Sequence, residues 1–440
     1  MKTTEFKLSL ISKRAKSDPI FQFMSLAHLL NQDFLKDCFN SLNRNKAKGI
    51  DNVSWKDYKE NLENNLEYLV SRMKRKKYKP IPAKRVYIPK NETEKRPLGI
   101  SALENKIVET GIKRILESIY EDDFHDFSFG FRPKRNTHQA LAKIDKLIMS
   151  SPVNHIVEAD IKGFFDNVNH QKLLGFIRIR IVDTSLLYLI ELFLKAGYVD
   201  AGLLVRTDSG TPQGSILSPI LANIFLHYVL DDWFETTVKS NIIGFCDIVR
   251  YADDFICVVQ YKEQAKRIET GLKNRFTKYG LEIHPTKSRT FSFGQFEDEN
   301  SKNQNRKSNT FDFLGITHYC DKTRKKKFKV GRKTSRKKLK TKCKDMNNWL
   351  KSVRNISKAK EWWKILKSKL AGHIQYYGMT GNYPAIYKFY SITIKLLHKW
   401  LNRRSQKKSM NWEKFTKYIN SYPLPKPKIK HNLYALAHNL

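Results

Sequence analysis

Residues 250–259 read RYADDFICVV. Two adjacent aspartates, Asp253 and Asp254, interrupt an apolar, β-branched run that would otherwise make a buried strand. Like charges at one turn repel each other and resist burial. A pair of aspartates on its own is commonly just a tight turn. A divalent cation also removes the repulsion, and Mg²⁺ prefers a few carboxylates plus phosphate oxygens to a full protein cage. A third carboxylate at the end of a neighbouring strand would complete a two-metal site. Asp160, closing the apolar run HIVEADI (155–161), is the candidate. Two ions on three aspartates suit in-line phosphoryl transfer.

The elements around these carboxylates can be read from periodicity and punctuation. Residues 1 to about 70 read as helical and polar. YKPIPAKRVYIPK (78–90) carries a short strand, and NETEKRPLGI reads as a turn and its return strand. Ser101 and Glu104 have capping-box spacing before a helix whose face holds Val108, Ile112, Ile115, Leu116 and Ile119. A second helix starts near Thr137. Ser218 suits an N-cap and Pro219 the first helical position of a third. The periodicity of 262–279 predicts an amphipathic helix stopping at Gly280. The order strand, helix, hairpin, helix, strand implies an α+β fold with helices on one side of a sheet. Composition changes after about residue 321: residues 321–345 hold 14 Lys or Arg against 2 Asp. That shift is expected to link to, or open, a separate helical domain rich in Trp and Tyr.

Charge narrows the partners. Lys plus Arg is 82 against 43 Asp plus Glu, a net +39. A field of that size, interleaved with aromatics, favours a polyanion, and nucleic acid is the default one. A merely solvating basic surface and an anionic membrane are the weaker alternatives. The five cysteines have no CxxC spacing, so they offer no zinc or redox pair. The N-terminus lacks a signal-peptide core, and SLLYLIELFLKAGY is too short to span a bilayer. The chain is expected to be soluble and intracellular, with no membrane partner.

The blocks KRPLGIS, FSFGFRPKRNTHQAL, EADIKGFFDNVNH, GTPQGSILSPILANIF, RYADDF, GLEIHPTKSR and FDFLGIT occur in this order. In content and order they resemble the reverse transcriptases of bacterial group II introns, over roughly residues 40 to 430. The resemblance implies a right-hand polymerase, with fingers and palm built on antiparallel sheet, followed by an α-helical thumb and maturase domain. The implied boundaries are an N-terminal extension over 1–45, fingers and palm over 46–320, and the basic helical domain over 321–440. It implies RNA-directed DNA synthesis with two Mg²⁺ ions, Mn²⁺ being able to substitute. The implied partners are an RNA template, a DNA or RNA primer, dNTPs, the parent group II intron RNA and target DNA.

Roles follow position by position. Asp160, Asp253 and Asp254 match the metal-binding triad, joined by the main-chain carbonyl of Ile161. Lys90 and Arg96 match the residues that neutralise the incoming triphosphate; a solvated hairpin tip is the alternative. Gln213 and Gly214 match the loop beside the nucleotide sugar and template. Phe165 matches the gate that excludes a ribose 2′-OH, with a core phenylalanine as the alternative, as for Phe164. Lys287 resembles the palm lysine, and Phe313, Leu314 and Gly315 the primer grip. Arg132 resembles a template contact, or else is a structural arginine. AGHIQYYGMTGNY, WLNRRSQKKSMNWEKF and LPKPKI resemble the thumb and maturase segment. Arg332, Lys333, Arg336, Lys337 and Lys338, with Tyr376, Tyr377, Trp400 and Arg403, have the basic and aromatic character suited to RNA. Longer family members end in an endonuclease domain with paired cysteines and histidines. The cysteines here match no such pattern, so cleavage of target DNA in cis is not expected. Two other functions remain open at this point: a splicing maturase whose polymerase activity is dispensable, and a reverse transcriptase recruited to antiviral defence or CRISPR spacer acquisition.

Overall fold

A computed structural model of the chain describes residues 4–89, 94–206, 208–211, 214–355, 359–403 and 410–438. Its strands are β1 (Ala83–Pro89), β2 (Lys95–Ile100), β3 (His155–Asp160), β4 (Tyr198–Asp200), β5 (Leu203–Val205), β6 (Cys246–Tyr251), β7 (Asp254–Val259), β8 (Arg289–Ser292), β9 (Thr310–Phe313), β10 (Ile316–Lys322) and β11 (Phe328–Thr334). They form three sheets, of order β2-β1-β4-β5, β6-β7-β3-β8 and β11-β10-β9.

The central sheet, β6-β7-β3-β8, is antiparallel throughout. The side chains of β7 (Phe255, Ile256, Cys257, Val258 and Val259) are all buried. Successive residues point to opposite faces, so both faces of the sheet must be covered. Phe255, Cys257 and Val259 face a large core shared with the helices Leu103–Tyr120, Ser218–Leu226 and Lys262–Lys278. Ile256 and Val258 face a second core shared with the helix Thr137–Ser150 and the sheet β11-β10-β9. The expectation of helices on one side is therefore corrected: β7 is apolar on both faces and is buried on both.

Local chemistry fixes several boundaries. Asn136 and Gln139 make a reciprocal capping box that starts the helix Thr137–Ser150. The helix Lys262–Lys278 ends just before Gly280, which has φ +80°. The box expected of Ser101 and Glu104 does not form. Ala102 is the N-cap, and the Ser101 hydroxyl donates to Glu109 instead. Likewise Leu217, not Ser218, occupies the N-cap of the helix Ser218–Leu226.

The helices Arg336–Val353, Ala359–Tyr377, Tyr383–Asn402 and Trp412–Ser421 surround a third core that contains Trp362, Trp363, Leu366, Phe389, Trp400 and Phe415. The charge-rich segment straddles two structures. Its first half lies on the β10–β11 hairpin, and the helical region opens at Arg336, with Ser335 as N-cap. A boundary at 321 would thus cut a hairpin. The helix Leu433–His438 returns to pack on Thr137–Ser150, so the last described residues join the central body.

Candidate active site

The register of the central sheet sets Asp160, the last residue of β3, opposite Asp254, the first of β7. Asp253 lies in the two-residue turn between Tyr251 and Asp254, which are themselves paired. Three aspartates thus lie at one end of the two central strands. The other turn residue, Ala252, has φ +59°. A primed turn fits the twist of a two-residue hairpin, yet a residue with a Cβ is strained there.

The surroundings hold that strain in place. Arg250, fully buried on β6, donates to the Ala252 carbonyl at 3.0 Å and to Asn223 Oδ1 at 3.0 Å. Its guanidinium also forks onto Asp231, with Nε to Oδ1 at 2.7 Å and Nη2 to Oδ2. Asn223 Nδ2 in turn donates to the Gly130 carbonyl at 2.8 Å. Gly130 lies directly against the turn: a Cβ there would sit 2.2 Å from the Ala252 nitrogen. Glycine is required by that close approach.

Electrostatics follow from the crowding. Burial raises the carboxyl pKa of Asp253 and Asp254, and for Asp254 the charges of Asp253, Asp160 and Glu158 raise it further. The Asp254 side chain opens into a cleft, so water moderates its shift, but the direction is upward. Lys287 Nζ donates to Asp160 Oδ2 at 2.8 Å. Arg96 is near enough to favour ionised Asp253. Crowded carboxylates pushed towards protonation are a donor set that divalent cations stabilise, so the residues present fit metal ions.

Towards β1 and β2 is a cavity of about 430 Å³, walled by Arg85, Tyr87, Gly99, Phe165, Tyr198 and Thr211. The adjacent phenylalanines separate here. Phe164 is in the core, whereas Phe165 is half-buried and lines the cavity. Gly214, at φ +109°, brings its loop against β2, where a Cβ would lie 2.4 Å from the Gly99 carbonyl oxygen. The loop is held from below by Glu109, whose carboxylate accepts from the Ile216 N–H at 2.8 Å and the Ser101 hydroxyl at 3.1 Å.

A cleft of about 820 Å³ runs from Asp254 to the C-terminal helices. Lys337, Lys338, Lys342 and Lys369 line it. Leu314 and Gly315, at φ +51° and +77°, form the β9–β10 turn at its edge. Backbone at Leu314 bonds the Asp254 carboxylate, and the Tyr376 hydroxyl donates to the Leu314 carbonyl at 2.9 Å. Phe313 anchors the turn in the core.

The structure therefore gathers Asp160, Asp253, Asp254, Arg96, Lys287, Leu314, Gly315, Lys337 and Lys338 around the aspartates and the cleft that Asp254 lines. Phe165 lines the cavity towards β2, and Gly214 packs on β2 at Gly99. Ile161 follows Asp160, with its side chain in the core. Lys333 and Arg336 are exposed on β11 and at the start of the next helix. Lys90 and Gln213 lie outside the described residues. Two arginines are corrected. Arg332 is 1% exposed, paired with Asp145 and bonded to the Thr380 carbonyl, so it cannot meet RNA. Arg132 is buried against Glu121 and donates to the His125 and Ser128 carbonyls, which makes it structural. Tyr377 and Trp400 are likewise core residues, while Arg403 is exposed and lies over the Trp400 ring. Sequence reasoning missed Arg250, Asp231, Asn223 and Glu109. The available signal was a charged residue inside an apolar run: arginine in DIVRY, aspartate in HYVLD, glutamate in KIVETGI.

Comparison with known proteins adds to this geometry. The family model described as reverse transcriptase (RNA-dependent DNA polymerase) matches residues 88–318. Group II intron-encoded protein LtrA of Lactococcus lactis subsp. cremoris is 40% identical over 232 residues, covering 52% of this chain and 38% of that protein. Protein YkfC of Escherichia coli is 32% identical over 281 residues, covering 56% of this chain and 73% of that one. An uncharacterised 91 kDa protein in the cob intron of Schizosaccharomyces pombe is 34% identical over 246 residues, covering 53% and 29%. The match thus spans well under half the length of the lactococcal relative.

Proposed function

The chain belongs to the reverse transcriptase family, and from that premise we propose that it copies RNA into DNA and binds its parent group II intron RNA to assist splicing and mobility. The observation that carries the first half is the register that brings Asp160 opposite Asp254 with Asp253 in the turn between strands. The second half rests on similarity to an intron-encoded protein. Reverse transcriptases use divalent metal ions; we take them here to be two Mg²⁺, with Mn²⁺ able to substitute.

Asp160, Asp253, Asp254 and the Ile161 carbonyl would hold them. Bound there, such ions lower the pKa of a primer 3′-hydroxyl and stabilise the pyrophosphate that leaves. The protein's own part is positioning and charge. Lys287 holds Asp160. Arg96, with Lys90, neutralises the triphosphate of the incoming dNTP. Phe165, which lines the cavity, would lie under the sugar of a bound dNTP, where close packing would leave no room for a 2′-OH. Gly214, with Gln213, lets backbone approach the nucleotide. The cleft lysines 337 and 338 bind phosphates of primer and template, and the Leu314–Gly315 turn steadies the primer end. Lys333 and Arg336 extend the basic surface towards intron RNA and target DNA. Among the described residues no helix is long and apolar enough to cross a membrane. We place the activity in the bacterial cytoplasm, at the nucleoid when DNA is the target.

The test is a binding competition at physiological salt. The parent intron RNA should be bound at least about tenfold more tightly than unrelated RNA of equal length, because salt-dependent phosphate contacts alone carry no preference. Equal affinities would leave a general RNA-copying polymerase and remove the intron-specific half of the reading.

A further inference from the structure

A second constellation of ligand-forming side chains lies away from the catalytic carboxylates. His125, His227 and Asp232 each offer a ligand atom, and these atoms all lie within 4.8 Å of one another. His125 Nε2 is 2.8 Å from Asp232 Oδ1, and His227 Nε2 is 3.5 Å from Asp232 Oδ2. We propose that these three residues form a structural site for a late first-row divalent cation, of which Zn²⁺ is the best match.

Three observations converge. The first is how the backbone creates the set. Residues 227–231 form a π-helical turn, and the Asp232 N–H bonds the His227 carbonyl, five residues back. In an α-helix positions i and i+5 point well apart. The wider turn brings them to one face, and such bulges recur at functional sites. The second is His227 itself. It is 5% exposed, and its Nδ1 has no hydrogen-bond partner. Its Nε2, on the other edge of the ring, faces Asp232 at 3.5 Å, long for a hydrogen bond, and this is the atom a cation would engage. The third is the loop. Arg132 fixes the His125 carbonyl at 2.7 Å, and the His125 ring stacks on Phe127 at 5.0 Å. The first ligand is therefore held in place by groups that are not themselves ligands.

The donor set selects the ion. Two imidazole nitrogens and one carboxylate suit Zn²⁺ and its neighbours, whereas Mg²⁺ prefers oxygen alone. His125 and Asp232 are partly open, with side chains 27% and 37% exposed, so water can fill a fourth position. The ion would clamp the loop carrying Gly130 to the helix carrying Asp231, the two supports of the Ala252 turn.

The test is zinc retention by the full chain, dialysed against buffered Zn²⁺ with excess Mg²⁺ to occupy the carboxylate site. Wild type should retain one equivalent more than His125→Gln or Asp232→Asn, with affinity at least about tenfold higher, and zinc should raise the melting temperature of wild type alone. Co²⁺ in wild type gives a reading that needs no variant: visible d–d absorption without thiolate charge-transfer bands. No retained zinc, equal retention by wild type and variants, or thiolate bands showing that cysteines hold the ion would each overturn the proposal.

Discussion

Arg250 shows how one side chain can serve the active site without reaching it. It is wholly buried, balanced by Asp231, and its Nη1 holds both Asn223 and the Ala252 carbonyl, in a turn with φ +59°. Arg250→Ala leaves Asp231 buried and unpaired and should cost about 3–5 kcal/mol of stability. A paired apolar replacement, Arg250→Met with Asp231→Leu, removes both charges and should recover most of that loss. It restores no donor to Ala252, so the rate of nucleotide addition should stay at least about tenfold low, a loss of transition-state positioning. Denaturant titration and single-turnover primer extension on the same samples separate the two effects. A stable double variant with the wild-type rate would reduce the network to a packing device.

At the scale of elements, the loop 214–217 is tied to the helix Leu103–Tyr120 through Glu109. Burial pushes the Glu109 carboxyl up to about 7, against the lowering effect of the Ile216 N–H and the Ser101 hydroxyl. The folded state therefore keeps a proton that the unfolded chain loses near its ordinary value of 4.5. The stability gained from that proton is complete below the ordinary value and is lost as pH rises through about 7. Glu109→Gln stays neutral, so it should lack this decline, worth up to about 3 kcal/mol. Denaturation at several pH values between these limits checks it; parallel slopes for wild type and variant would contradict it. The same helix shows where local reading stops. Val108, Ile112, Ile115, Leu116 and Ile119 lie on its buried face as periodicity requires. Ser101 has capping-box spacing but finds a better partner in Glu109, one turn further on. Asp160, Asp253 and Asp254 were legible because strand ends and turns leave marks in sequence. Arg332 was misread, and Arg132 left open between two roles, because their acidic partners, Asp145 and Glu121, come close only through tertiary packing. The π-turn at His227 leaves no mark that periodicity can detect.

Across the whole molecule, a net charge of +39 is carried by a body with two main openings near its central sheet. The smaller cavity lies towards β1 and β2, and the larger, lysine-lined cleft lies towards the helices that begin at Arg336. The Leu314–Gly315 turn stands between cleft and carboxylates, fastened to Asp254 on one side and Tyr376 on the other. On the proposed reading, such an arrangement would separate holding a polyanion from reacting with it: lysines far along the cleft would bind phosphates, while the carboxylates would hold metal. Removing one carboxylate should therefore stop chemistry and spare binding. The decisive measurement is primer extension on an RNA template with dNTPs and Mg²⁺, run beside RNA affinity, for Asp160→Asn and Asp253→Asn. Both variants should lose cDNA synthesis by at least about a thousandfold, since metal-assisted transfer loses its ligands, and should bind RNA like wild type. Substantial extension by either variant would contradict the assignment of these aspartates to the metal site, and with it the account of how this protein works.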